Sequence, residues 1–179
     1  MTSVAALLDH ARMLLSNRPH AAGELAQKLV SLCQRRAKRA PGSAPAGGRA
    51  AQCAAAAADV VAVLSREGAL DDVQYAAWHV AQRERFRPRS RLQLIRELSV
   101  KRVDSAVITA SVSASNELHA AAAAAARMPS ATDAVLARRL AQRGFGYHTV
   151  QKVVLGRTRS SQRNTGLSGD HAEDDEAMK

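Results

Sequence analysis

Leucines recur four residues apart at three places in this chain, Leu25/Leu29, Leu94/Leu98 and Leu136/Leu140. An apolar pair at i, i+4 lies on one face of an α-helix, so each pair predicts a helix with a buried stripe. Each pair also closes a similar stretch: "RPHAAGELAQKL" (18–29), "RPRSRLQLIREL" (87–98) and "MPSATDAVLARRL" (128–140). Each stretch opens with one residue and then proline, which suits the first turn of a helix because its missing N–H is not needed there. A helical segment precedes each copy, at 3–16, 71–85 and about 115–127. A shorter one follows the second and third copies, "VDSAVITASV" (103–112) and "GYHTVQKVVL" (146–155). The pattern predicts an all-α fold, an array of tandem three-helix repeats at 1–68, 69–113 and 114–156, with 157–179 as a tail.

The first repeat departs from the pattern. Residues 35–58, "RRAKRAPGSAPAGGRAAQCAAAAA", are rich in Ala, Gly, Pro and Arg and read as a surface loop or linker, ahead of a third helix at 58–68. From Arg157 onward apolar periodicity is lost, which predicts disorder. The punctuation of the central repeat is clearer. Gly68 stands where a left-handed C-terminal residue belongs, and Asp71 or Asp72 can cap the next helix. Tyr75 and Trp78, three apart on that helix, read as core rather than as a base-stacking platform. The alanine run 120–126 is a good helix former and little else. "GFGY" (144–147) reads as a turn with Phe145 and Tyr147 tucked inward.

Charge changes the picture. The 179 residues carry a formal charge of +10, and the last ten, "DHAEDDEAMK", hold five acids and one lysine. Without them 25 basic residues face 11 acidic ones, a body near +14. Such a body attracts polyanions: nucleic acid, an anionic membrane surface or an acidic protein. Cys33 and Cys53 lack CxxC spacing, which suggests neither a disulfide framework nor a zinc site and leaves a reducing compartment as the default. No apolar run approaches the ~18 residues of a membrane span. The amphipathic N-terminus lacks a secretory pattern and leaves an organellar-targeting reading as the lesser alternative to a cytoplasmic one.

Catalytic chemistry is not evident. The six histidines are scattered without HxxxH or HExxH spacing, no GxxxxGK[ST] loop is present, and the GxG at 144–146 lacks a third glycine. No cofactor or metal is expected, and an enzyme is not.

What stands out is the stretch 83–102. Arg83, Arg85, Arg87, Arg89, Arg91, Arg96, Lys101 and Arg102 face only Glu84 and Glu97 among its acids. On a helical wheel from Pro88, Leu94, Ile95 and Leu98 share one face, while Arg89, Gln93 and Arg96 lie near the opposite one. The apolar half is expected buried and the basic half displayed, led by Arg83, Arg85 and Arg87. Arg138, Arg139, Arg143 and Lys152 make a second, weaker basic cluster.

These residues resemble the RecX family, modulators of the bacterial RecA recombinase. The central family repeat has a Leu-Asp-Asp start, an aromatic-Ala pair, a run of arginines and an Ile-x-x-Glu-Leu helix. Here they stand as Leu70-Asp71-Asp72, Tyr75-Ala76, the arginines of 83–91 and Ile95-Arg96-Glu97-Leu98. "LARRLAQRGFGYHTVQKVV" is similar to the third repeat and "LLSNRPHAAGELAQKL" to the first, so the likeness spans roughly 5–155. One departure is local: the family usually has Lys-Gly before the third helix of a repeat, and this chain has Lys101-Arg102, which strains the turn if φ is positive there. The first repeat also lacks the expected glycine turn.

The resemblance implies an elongated, curved array with a basic inner surface. It implies a monomer that lodges in the groove of a RecA filament on single-stranded DNA and mainly inhibits recombinase, ATPase and co-protease activity. Two readings outside that family stay open: a stand-alone nucleic-acid-binding helical protein, and a helical scaffold whose charge serves only solubility.

Overall fold

Local side chains set most of the helix starts. Ser3, Asp104, Asn116 and Thr132 each accept a backbone N–H of the following turn, and the Asp71 carboxylate accepts from Val73 N–H at 2.8 Å and Gln74 N–H at 3.0 Å. These contacts satisfy donors that a helix N-terminus cannot satisfy itself. The structure, a computed structural model, describes residues 3–39 and 46–166, with side chains described for 3–39 and 48–159. Among the described residues there are nine α-helices and no strand: α1 Val4–Asn17, α2 Ala22–Arg39, α3 Ala46–Arg66, α4 Asp72–Phe86, α5 Arg91–Val100, α6 Ser105–Ser113, α7 Glu117–Ala126, α8 Asp133–Gln142 and α9 Tyr147–Gly166. The fold is all-α, as the leucine pattern predicts.

The three leucine pairs are buried: Leu25, Leu29, Leu98, Leu136 and Leu140 are fully covered and Leu94 nearly so. Each pair belongs to a different apolar cluster. Leu25 and Leu29 meet Leu7, Val60 and Leu64; Leu94 and Leu98 meet Tyr75, Val80, Ile108 and Val112; Leu136 and Leu140 meet Ala121, Ala124, Phe145 and Val150. By contact the chain divides into two compact units, Met1–Arg83 with Leu94–Ser115 and Glu84–Gln93 with Asn116–Lys179. The first two clusters lie in the first unit and the third in the second.

Several sequence expectations are corrected. Most of 35–58 is helix rather than loop: α2 runs to Arg39 and α3 begins at Ala46, with 40–45 outside the described residues. Alanine has the highest helix propensity, and this stretch packs, with Cys53 and Ala57 buried among α1–α3. Cys33 and Cys53 form a disulfide, with Cα atoms 5.6 Å apart across a separation of 20 residues. Side-by-side packing of α2 on α3 brings together two cysteines that spacing alone left unpaired. The helix also passes Arg157, since α9 continues to Gly166, while 167–179, including the acidic end, lie outside the described residues. Arg157 itself is held by the carbonyls of Met128 and Pro129. Finally, Pro19, Pro88 and Pro129 stand ahead of the helices, not within their first turns. Ser90 and Thr132 intervene and accept from Gln93 and Val135 N–H.

The corresponding place before α2 is Ala21, which has no side-chain oxygen to cap with. Asp72, fifty residues away, supplies one: its Oδ1 accepts from Ala22 N–H at 2.8 Å. Removing this acceptor with Asp72→Ala is expected to cost about 1 kcal/mol in urea unfolding, and Asp72→Asn, which keeps the oxygen, much less. Equal losses in the two variants would show that the carboxylate charge, not the hydrogen bond, is what matters.

Two glycines with positive φ close helices, Gly68 at 71° and Gly144 at 87°. Arg102 does the same at 61° without being glycine. This is the Lys-Arg turn that the sequence marks as strained if its φ is positive.

Candidate nucleic-acid interface

In the first unit, much of the basic stretch is consumed by the protein itself. Arg83 Nε donates to Glu97 Oε2 at 2.7 Å, and His79 Nε2 lies 3.0 Å from the same oxygen. Lys101 Nζ donates to Glu24 Oε1 at 2.9 Å. With the Gln27 amide turned so that its oxygen faces Arg102, that oxygen accepts from Nε and Nη2 at 2.9 Å each. Arg83, Lys101 and Arg102 therefore hold helices together, which the sequence expectation of a displayed strip did not include. Arg96 stays exposed on α5. Ile95, expected inside with Leu94 and Leu98, is 40% exposed. One helical step turns a side chain by about 100°, and the buried stripe here is only as wide as the Leu pair.

Glu24 is the electrostatic centre of this unit. It is buried and receives Arg18 at 2.6 Å, Lys101 at 2.9 Å and Lys28 at 3.5 Å. Burial alone would raise its pKa, but the hydrogen bonds and charges of Arg18 and Lys101 outweigh it and bring the carboxyl down to about 2.

The second unit holds Arg85, Arg87, Arg89 and Arg91, on the last turn of α4, the segment after it and the start of α5. Arg85, Arg87 and Arg91 are exposed and Arg89 is half-buried. Backbone contacts tether this segment to the end of α8. Ser90 N–H donates to the Arg143 carbonyl at 3.4 Å, and a Cβ on Gly144 would sit 2.6 Å from Ser90 Oγ. Glycine is thus required at 144 both for its φ and for this approach. Arg127, at the C-terminal end of α7, donates through its guanidinium to the carbonyls of Arg85 and Phe86. Those carbonyls lie in the last turn of α4, which has no intrahelical donor for them and favours a cation.

This packing regroups the arginines. Arg143 has its pKa held below the ordinary arginine value, first by burial and then by the positive charges of Arg89, Arg127, Arg139 and Arg87. Its Nη1 is buried and has no hydrogen-bond partner among the described residues. Arg87 and Arg89 of the first predicted cluster thereby join Arg139 and Arg143 of the second. Arg138 and Lys152 face elsewhere. Arg138 borders an open hollow of about 510 Å³ with Phe145, Tyr147 and Leu155, and Lys152 borders another of about 510 Å³ with Leu118 and Pro129. Tyr147, expected inward, is 70% exposed, while Phe145 is buried as expected. Phe145 lies between helices α8 and α9, whereas Tyr147 begins α9 on its outer side.

Two residues of this surface escaped the sequence reading. Phe86 is 56% exposed, with the Arg85 guanidinium carbon 5.2 Å from its ring centroid. The signal was available, since Phe86 stands between Arg85 and Arg87. Arg127 ends the alanine helix, and its carbonyl partners are 41 and 42 residues away, beyond any local pattern. Guanidiniums that present several N–H donors beside an exposed ring suit phosphate and a stacked base. Among the described residues, no three His, Cys, Asp or Glu side chains gather as metal ligands, and no helix is long and apolar enough to cross a membrane.

Comparison of the sequence with protein-family models and with curated proteins returned no match.

Proposed function

We propose that this chain is a non-enzymatic regulator of a RecA-type recombinase, acting as a monomer. It binds the recombinase filament on single-stranded DNA and mainly inhibits its recombinase, ATPase and co-protease activities. The observation that carries the reading is the turn before α6. The resemblance to the RecX family rests on an ordered set of motifs; one departure in the central repeat is Arg102 in place of glycine, and φ at Arg102 is 61°. A positive φ suits the glycine that the family pattern has at this place, and this supports the resemblance. The exposed Arg85, Arg87, Arg91 and Arg96 add support, because a filament offers phosphates and acidic protein surface together.

The test is titration of the protein, well below recombinase concentration, into RecA-type ATPase and strand-exchange assays. Wild-type protein is expected to inhibit both. The Arg85, Arg87, Arg89 and Arg96 to Glu variant is expected to lose inhibition while keeping its helicity by circular dichroism. Unchanged inhibition in that variant would remove these arginines from the mechanism.

Phe86 favours a second reading, a stand-alone binder of nucleic acid, because an exposed ring next to arginines can stack on a base of a bare strand. Equal affinity for bare and recombinase-coated single-stranded DNA, with no effect on strand exchange, would select it.

A further inference from the structure

Arginine clustering of the kind found in the second unit is unfavourable unless something negative offsets it. Part of it has an internal purpose. Arg127 caps α4 through the carbonyls of Arg85 and Phe86, and a cation near the end of α8 suits that helix dipole. Capping does not account for Arg143. Among the described residues its buried Nη1 has no hydrogen-bond partner, although buried donors are almost always satisfied. The four strongest charge effects on it all come from other arginines. These four arginines come from three places in the chain: the segment after α4 (Arg87 and Arg89), the end of α7 (Arg127) and α8 (Arg139). The Ser90–Arg143 backbone contact and the close approach at Gly144 hold the first of these against the end of α8.

We infer that Arg143, with Arg87, Arg89, Arg127 and Arg139 around it, forms a seat for one phosphodiester group of a single-stranded nucleic acid. This rests on, and deepens, the reading that the chain binds nucleic acid, whether bare or in a filament. Guanidinium forks match two phosphate oxygens at once, and a phosphate between them would satisfy the buried Nη1 donor and offset the mutual repulsion. A strand is favoured over a free phosphate compound because Phe86, 56% exposed, stands one residue from Arg87 and offers a face to the neighbouring base.

The test uses the full chain and two probes, inorganic phosphate and a fluorescent oligothymidine. Melting temperature is measured in phosphate and in chloride at matched ionic strength, and oligothymidine affinity is measured across salt concentration. The wild type is expected to melt higher in phosphate than in chloride. Arg143→Gln is expected to melt no lower than wild type in chloride, to lose the phosphate increment, and to reduce the magnitude of the log–log salt slope by about 0.7, the single-strand value for one phosphate. Arg139→Gln alters an exposed side chain and serves as a second variant with the same expected direction. An unchanged slope in both variants overturns the nucleic-acid seat, even if phosphate still stabilises the protein. A melting temperature lowered equally in both buffers by Arg143→Gln also overturns it, and marks an internal helix cap only. Failure of recombinase inhibition with these changes in slope intact would sink the regulatory function and leave the seat standing.

Discussion

Replacing Glu24 with glutamine is expected to lower the free energy of unfolding by about 3 kcal/mol, measured by urea denaturation at neutral pH. Glu24 is buried and joins α2 to the α5–α6 turn through Lys101, 77 residues away, while Arg18 and Lys28 complete its surroundings. Glutamine keeps the shape but removes the charge that three cations share. The same site sets an acid limit. The carboxyl titrates at about 2 in the folded protein against an ordinary 4.5. A group with a depressed folded pKa binds fewer protons when folded, so its stabilisation is complete above 4.5 and is lost as pH falls towards 2. The shift corresponds to about 3 kcal/mol. His20, buried beside Arg18 and Lys28, adds to the loss from a higher pH. Burial foremost lowers its pKa from 6.5, so folded protein must charge it unfavourably on acidification. Wild-type stability should thus decline below about pH 6.5 and fall steeply below about 4.5. Glu24→Gln should abolish the steeper limb, and its persistence in that variant would show that other carboxylates dominate.

The second large effect is expected at Gly23. A Cβ there would collide with Arg102 Cβ and lie 3.0 Å from the Lys101 carbonyl oxygen and 3.2 Å from that of Arg102. Alanine ordinarily favours a helix over glycine by about 1 kcal/mol. Here backbone blocks it, and Gly23→Ala should instead cost about 2–3 kcal/mol by overpacking. Arg102→Gly removes one colliding atom and relieves a left-handed non-glycine residue, at the loss of the Gln27 contacts. The double variant should recover about 1 kcal/mol or more of the Gly23→Ala loss, a coupling that a double-mutant cycle in urea reads directly. Strict additivity of the two substitutions would mean that the carbonyl oxygens alone bar a side chain at Gly23. The pair explains how a non-glycine turn persists: the Cβ that Arg102 brings to the contact is matched by the one that Gly23 lacks.

These contacts also separate what could be read from the chain from what could not. The leucine pairs, a cap at Asp71 or Asp72, the glycine at position 68 and the buried Tyr75 all follow from spacings of four residues or fewer, whereas the turn at Arg102 was marked only by the family resemblance. A helix turn and its caps are closed by the residues within it, so side-chain type and periodicity suffice. Alanine misled in the opposite direction. Low complexity at 35–58 reads as loop, yet high helix propensity and a buried small-residue face make most of it α2 and α3.

The candidate interface was only partly legible. Eight basic residues between 83 and 102 are visible as a charge run, but the run does not say which of them are already engaged. Glu97 takes Arg83, Glu24 takes Lys101 and Gln27 takes Arg102, and Ile95 lies outside the stripe that should have buried it.

By itself, then, the sequence determined an all-α chain, which leucines its helices bury and that its body is strongly basic, because those properties arise within a turn or from composition. Tertiary structure alone decided that Asp72 caps α2, that Cys33 meets Cys53, that Glu24 gathers three cations and that the charges of Arg87, Arg89, Arg127 and Arg139 bear on Arg143. Each of these joins residues from separate helices or turns, and which of those meet is settled by the packing of apolar faces, to which the polar side chains then conform.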